Sequence, residues 1–350
     1  MRIVSLAGTP SDVANLAAVY RALDESQERA ERADVEHVVV QTSRSDDVTM
    51  AALYDELEIP RAHRSLDVDA GPHGVETGLI MQRLEPLVAD VAPDAMLVYG
   101  AGNAALAGAL VAAKLGIRVG HVEAGLRSGD QTPQQINHVV TDRLADSLFV
   151  PSRDAIDALK AEGVAEERIQ FVGSVRIDAL CWALARAPAV DRGGHVVVSL
   201  HEPAAEVAQA LAELDRRIPV VTAPAGYLDL IGLVASAALV VTDTDELQDE
   251  TSYLGVPCIT LRPNTDHPAT CQHGTNRLVA AGRSTLLAAA ERALARRGPA
   301  RPVLERWDGM AAQRIACVLC DGRDFPAEPA QTMAPTARRT RQAVAIPQMA

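Results

Sequence analysis

Short apolar runs recur at residues 3–6, 38–41, 96–99, 119–122, 148–150 and 170–172, each too brief for a helix and rich in valine, leucine or isoleucine. Between them, stretches at 12–23, 78–88, 105–115 and 155–162 carry apolar residues every three or four positions, the spacing of helices with one buried face. Continuous apolar strands alternating with helices predict a parallel sheet covered on both faces. After residues 178–184 the pattern breaks at Pro188-Ala-Val-Asp-Arg-Gly-Gly194, a polar, glycine-rich hinge. A second strand and helix series follows, with runs at 195–200, 219–223, 239–242 and 257–261. The expected fold is α/β, with two Rossmann-like doubly wound domains facing across a cleft, at residues 1–185 and 186–308. Residues 309–325 are expected to form a helix that crosses back to the first domain, and 326–350, without periodicity, a disordered tail.

At 350 residues the chain exceeds one usual hydrophobic core, in keeping with two domains. Aromatic residues make up 3% and the net charge is -13, which together oppose a nucleic-acid partner. No apolar stretch is long enough to span a bilayer, and Met1-Arg-Ile-Val-Ser-Leu reads as a first strand, so no membrane partner and a cytoplasmic location are expected. Five cysteines make no disulfide framework. Cys317 and Cys320 form one CxxC without a second pair, so no metal site is expected. No nicotinamide fingerprint appears either, and no cofactor is expected.

The densest chemistry lies in His121-Val-Glu-Ala-Gly-Leu-Arg-Ser-Gly-Asp130. It follows a strand of a β-α-β unit, and ligands of open parallel sheets collect beyond the carboxyl ends of strands. Glu123 and Arg127 should therefore project into the crevice, although the same spacing fits a salt-bridged loop.

This decapeptide resembles the signature of the UDP-N-acetylglucosamine 2-epimerases, whose fold is the two-domain glycosyltransferase-B type. Further stretches follow in the family's order: Gly8-Thr9, Val172-Gly173 with Ile177-Asp-Ala-Leu180, His201, Thr242-Asp243, Gln248, Glu250, Leu254-Gly-Val-Pro257, Arg262, Asn264-Thr265, Pro268 and Gly274-Thr275. The similarity spans about residues 1–320. It implies a nucleotide-binding second domain, a UDP-sugar substrate, a homodimer and epimerisation at carbon 2. In that reaction a base removes the carbon 2 proton, UDP leaves carbon 1 to give a 2-acetamidoglucal, and both then return.

The chain departs from the family pattern at several of its functional positions. Pro10 and Asn15 stand where the family carries arginine and lysine, its catalytic aspartate position is Ala101, and one glutamate is Gln134. An amide at 134 orients groups but carries no proton near neutral pH, whereas His138 could supply one. Thr244-Asp245-Glu246 replaces a Ser-Gly-Gly that lets helix amides approach phosphate. The resemblance implies Glu123 as base, with His201 near the leaving phosphate and His138 and Gln134 beside the sugar. Substrate binding would fall to Arg127, Asn137, Thr244, Gln248, Glu250 (on the ribose) and Arg262. Three readings stay open beside the divergent epimerase: a hydrolysing relative releasing N-acetylmannosamine, a non-catalytic nucleotide-sugar-binding homologue or partner subunit, and a glycosyl transferase.

Overall fold

The computed structural model describes residues 1–30, 35–190, 194–295 and 304–321. The tail expected at 326–350 and part of the hinge lie outside these residues.

The first sheet holds β1 (Arg2–Ala7), β2 (Glu36–Gln41), β3 (Arg64–Ser65), β4 (Ala95–Tyr99), β5 (Arg118–Val122), β6 (Ser147–Val150) and β7 (Ile169–Phe171). All pairs are parallel, in the order β3-β2-β1-β4-β5-β6-β7. The second sheet holds β8 (Val196–Ser199), β9 (Val220–Thr222), β10 (Leu239–Thr242), β11 (Cys258–Thr260) and β12 (Asn276–Leu278), ordered β12-β11-β10-β8-β9 and again parallel. Strand order reverses between β1 and β4 and between β8 and β10, and crevices open at such points. The α/β fold with two parallel sheets is as expected.

Helices cover both faces. α1 (Pro10–Ala30), α2 (Val48–Glu56), α3 (His73–Val91), α4 (Asn103–Lys114), α5 (Pro133–Leu144), α6 (Arg153–Ala161) and α7 (Val175–Leu184) belong to the first series. α8 (Ala205–Asp215), α9 (Tyr227–Ala235), α10 (Glu246–Leu254), α11 (Pro268–Gln272) and α12 (Arg283–Ala295) belong to the second, and α13 (Ala311–Asp321) closes the described chain. Leu6, Met96 and Val98 are wholly or almost wholly buried beneath an alanine-lined α4, whereas Ile3, Leu97 and Tyr99 pack on the opposite face with α1. Because the strands are buried on both sides, they read as unbroken apolar runs.

Ala311, Ala312, Ile315 and Ala316 of α13 join the core built on α1. Asp178 caps that helix, accepting from the amides of Ala311 (3.1 Å) and Ala312 (2.8 Å). The approach is close enough that a Cβ on Gly173, at φ +93°, would lie 2.0 Å from the carbonyl oxygen of Arg306. Only glycine fits there.

Several elements were absent from the hydrophobic pattern. α2 starts at Asp47, whose side chain accepts from the amides of Thr49 and Met50, so a cap defines it more than its apolar spacing does. α5 starts with Thr132 as cap and Pro133 at its first position, yet Ile136 and Val140 on it are exposed, which blurs the amphipathic signal. β3 has two residues, too few to show a period.

Candidate functional site

The turn after β5 is held in an unusual shape. Glu123 has φ +66°, a left-handed conformation that costs a β-carbon residue about 1 kcal/mol or more, so neighbours must hold it. His138, buried, donates from Nε2 to the carbonyl of Glu123 at 2.9 Å. The Ala124 amide bonds Phe149 O at 3.1 Å, and the Gly125 amide bonds Asp142 Oδ2, also at 3.1 Å. Gly125 has φ +83° and lies so near α6 that a Cβ there would stand 2.7 Å from Ala155 O. Asp142 is the anchor: His121 Nδ1 lies 2.6 Å from its Oδ1 and Arg127 Nη2 2.8 Å from its Oδ2. His121 Nε2 also bonds Gly100 O at 2.8 Å, tying the β4 and β5 turns together.

That frame aims the Glu123 carboxylate into the gap between the sheets. Its Oε1 lies 3.8 Å from Arg176 Nη2 of α7. Burial raises its pKa, while Arg176 and His267 work in the other direction. Asp12 approaches from α1, with Oδ2 accepting from the amides of Gly8 and Thr9 at 2.9 Å each. Burial pushes Asp12 up to about 7 despite those bonds. A Cβ built on Gly100 would lie 3.6 Å from Asp12 Oδ1 and 3.7 Å from Glu123 Oε2. Two carboxyl groups thus converge over one glycine.

α10 faces them from the second sheet. Glu250 is buried and accepts from Tyr227 Oη at 3.0 Å, and burial pushes its carboxyl up to about 7 against the pull of Arg176. Burial acts to raise Glu246 as well, but Arg176 together with hydrogen bonds from its own amide, Thr244 and Ser11 holds that carboxyl below its usual range. Beside them His267 bonds Asp249 Oδ1 from Nδ1 at 2.8 Å. Although burial disfavours its charge, Asp249 and Asp266 hold His267 well above the usual imidazole range. A cavity of about 550 Å³ opens here, lined among others by Ser11, Glu56, Arg176, Tyr227, Glu246 and Glu250. That volume suits a small-molecule ligand.

Hydrogen bonds join the two halves around it. Ser174 Oγ donates to Asp249 (2.9 Å), Asn264 Nδ2 to Asp130 (3.0 Å), and the amides of Tyr227 and Leu228 to Glu56 (3.1 and 2.6 Å).

Of the residues singled out in the sequence, Glu123 faces the gap, and Thr244 and Glu250 line the cavity. His201 lies on the surface with its side chain 80% exposed, paired to Asp243 at 3.0 Å. Four others are turned into the scaffold. Arg127 is engaged by Asp142 and by Glu162 (2.8 and 2.9 Å), Asn137 donates to Ala101 O and Asn103 Oδ1, and Arg262 pairs with Asp245 at 2.5 Å. Gln248 is fully buried, and its Oε1 accepts from Thr265 and Asn276 at 2.7 Å each. His138 supports the turn by its bond to Glu123, and burial lowers its pKa to about 4, so it stands neutral near pH 7. Gln134 is exposed on the first turn of α5. His121, His138 and Asp142 have donor atoms within 4.8 Å of one another, but His121 and Asp142 have every donor atom in an internal bond, as does His138 Nε2.

Arg176, Asp12, Tyr227 and His267 escaped the sequence reading. Arg176 sits inside a helical run of apolar neighbours, where one cation looks like a solvent-facing position; only the domain contact buries it.

The chain matches the family model described as UDP-N-acetylglucosamine 2-epimerase over residues 27–194 and 183–320. It is 31% identical over 333 residues to UDP-2,3-diacetamido-2,3-dideoxy-D-glucuronate 2-epimerase of Pseudomonas aeruginosa, covering 84% of this chain and 92% of that protein. It is 29% identical over 380 residues to UDP-N-acetylglucosamine 2-epimerase of Methanocaldococcus jannaschii, covering 92% and 100%. The crystal structure of the latter in complex with UDP-GlcNAc and UDP superposes with a TM-score of 0.80 at 29% identity, over 91% of this chain and 99% of that one. UDP-GlcNAc 2-epimerase of Neisseria meningitidis, bound to UDP-GlcNAc, shares the fold with a TM-score of 0.81 at 20% identity, over 91% and 99%. No helix among the described residues is long and apolar enough to cross a membrane.

Proposed function

The chain belongs to the UDP-N-acetylglucosamine 2-epimerase family, and from that premise we propose that it inverts carbon 2 of a UDP-linked N-acetylhexosamine. The observation that carries this reading is Glu123, a carboxylate held at φ +66° by buried bonds and aimed between the two sheets. Strain of that kind, sustained by a fixed surround, clusters at functional positions.

Glu123 takes the carbon 2 proton. The C–H electron pair becomes the carbon 1–carbon 2 double bond while the carbon 1–oxygen pair leaves with UDP. Return of UDP and of a proton to the opposite face gives the manno epimer. A carboxyl whose pKa burial raises is suited to give the proton back as well as to take it. Ala101 carries no acid, and Asp12, converging on the same glycine, supplies the second proton-carrying group. Glu250 and Thr244 hold the ribose, His201 on the loop after β8 meets the leaving phosphate, and Arg127, Asn137, His138, Gln248 and Arg262 hold the frame. The relatives named above carry different UDP-sugars in their names, which supports the reaction class and makes the sugar a matter for assay. Exposed Ile136 and Val140, one turn apart on α5, support a homodimer, to be read by light scattering.

The test is to incubate the protein with UDP-N-acetylglucosamine and with its 2,3-diacetamido uronate counterpart and to follow the anomeric protons by NMR. A manno product supports the proposal; free UDP with N-acetylmannosamine indicates the hydrolysing mode. A second reading, a nucleotide-sugar-binding homologue without turnover, is favoured by Asp245 and Glu246 at the start of α10. It predicts ligand-raised melting temperature with carbon 2 unchanged.

A further inference from the structure

Arg176 is a buried guanidinium, 4% exposed, on the wall of the interdomain cavity. It has five N–H donors. Among the described residues it makes one hydrogen bond, from Nη2 to Ser11 Oγ at 2.5 Å. Carboxylates surround it without closing on it. Glu123 stands at 3.8 Å, beyond hydrogen-bonding distance, and Glu246 and Glu250 of α10 act on it by charge alone. Buried donors are normally paired, and a guanidinium left open toward a cavity matches the fork of two phosphate oxygens.

Two further observations point the same way. Arg176 is the single cation among the residues that line the cavity, where Glu56, Glu246 and Glu250 are the acids. Asn15 of α1, fully buried, turns its amide nitrogen toward the Glu123 carboxyl and leaves its amide oxygen without a hydrogen-bond partner, so a second polar group stands open next to the first.

We propose that Arg176 is the diphosphate-binding cation of this site, its open N–H groups taking phosphate oxygens of a nucleoside diphosphate sugar. This rests on the epimerase reading and deepens it. Arg176 lies one charge-pair distance from Glu123, as an elimination demands: carbon 2 gives its proton to the carboxylate while the neighbouring carbon 1–oxygen bond breaks toward the guanidinium. The electron pair of that bond ends on a phosphate oxygen that Arg176 faces, and the charge is met where it forms.

The experiment is calorimetric titration of the full chain with UDP and with uridine, for wild type, Arg176→Lys and Arg176→Gln. In wild type UDP should bind more tightly than uridine. Arg176→Gln should weaken UDP by about tenfold or more while uridine stays within about twofold, because only the diphosphate loses a charge-assisted pair. Arg176→Lys, which keeps the charge without the fork, should fall between. Uridine serves as the control for folding; should Arg176→Gln not fold, the lysine variant and competition by inorganic pyrophosphate against UDP in wild type decide the matter. Equal loss of UDP and uridine, or no loss of UDP, overturns the assignment. A wild type that binds neither UDP nor UDP-N-acetylglucosamine instead overturns the epimerase reading beneath it.

Discussion

Asp142→Asn should damage both stability and turnover, because one buried carboxylate anchors the turn that carries Glu123. Asp142 is fully buried and meets His121 at 2.6 Å, Arg127 at 2.8 Å and the Gly125 amide at 3.1 Å. The amide keeps one acceptor oxygen and turns an N–H group toward the remaining donors. Removing one charge from a buried ion pair costs about 3–5 kcal/mol, and the retained acceptor places this change near 3 kcal/mol. For a chain of 350 residues that is a fall in Tm of about 4 °C. Loosening of the turn displaces the Glu123 carboxylate, and a misplacement of about 1 Å costs on the order of a hundredfold in kcat. The pH dependence has a definite sign. Burial opposes the charge on Asp142, yet His121, His138 and Arg127 hold its pKa below the usual carboxylate range. Its stabilisation is therefore present above the unfolded value of about 4 and is lost as pH falls through the folded value. The gap in Tm between variant and wild type should be full at pH 7 and narrow below about pH 4. Differential scanning fluorimetry across that range, with turnover measured at pH 7, checks it. A variant that melts within about 2 °C of wild type and keeps its kcat would refute the anchor role.

Two other outcomes follow from the same geometry. Glu250 keeps its proton up to about pH 7 in the folded chain but loses it near 4.3 when unfolded, so folded stability should decline as pH rises between those values. Glu250→Gln removes that titration, and its plot of Tm against pH should be flatter between pH 5 and 7; parallel plots would contradict the burial of a titrating acid. His201 is exposed, so His201→Asn should leave Tm within about 1 °C while lowering kcat by about a hundredfold. Unchanged turnover would remove His201 from the chemistry.

Much of the fold was legible because buried parallel strands leave an unmistakable mark. Val196, Val197 and Val198, or Met96, Leu97 and Val98, have no reason to stand together except burial on both faces. Elements set by single residues were less visible: α2 depends on the Asp47 cap, and α5 shows apolar side chains to solvent. In the site, Glu123 stood out because its turn is local, with the strand, the glycine and the acid within a few residues. Arg127 was equally prominent in sequence, but its partners Asp142 and Glu162 lie 15 and 35 residues further along the chain, and spacing within a motif carries no information about them. Arg176 and Asp12 became site residues only when α1, α7 and α10 met across the gap. Such long-range convergence is a property of topology, and no window of the chain contains it.

The most direct test of Glu123 as the base at carbon 2 is hydrogen exchange at that carbon. Wild type and Glu123→Gln are incubated with UDP-N-acetylglucosamine in heavy water, and deuterium at carbon 2 is followed by NMR. Wild type should place deuterium at carbon 2 in both epimers, and Glu123→Gln should slow this by about a hundredfold or more while still binding UDP. Exchange at the wild-type rate in Glu123→Gln, or a wild type that binds the sugar nucleotide and leaves carbon 2 protonated, would contradict it.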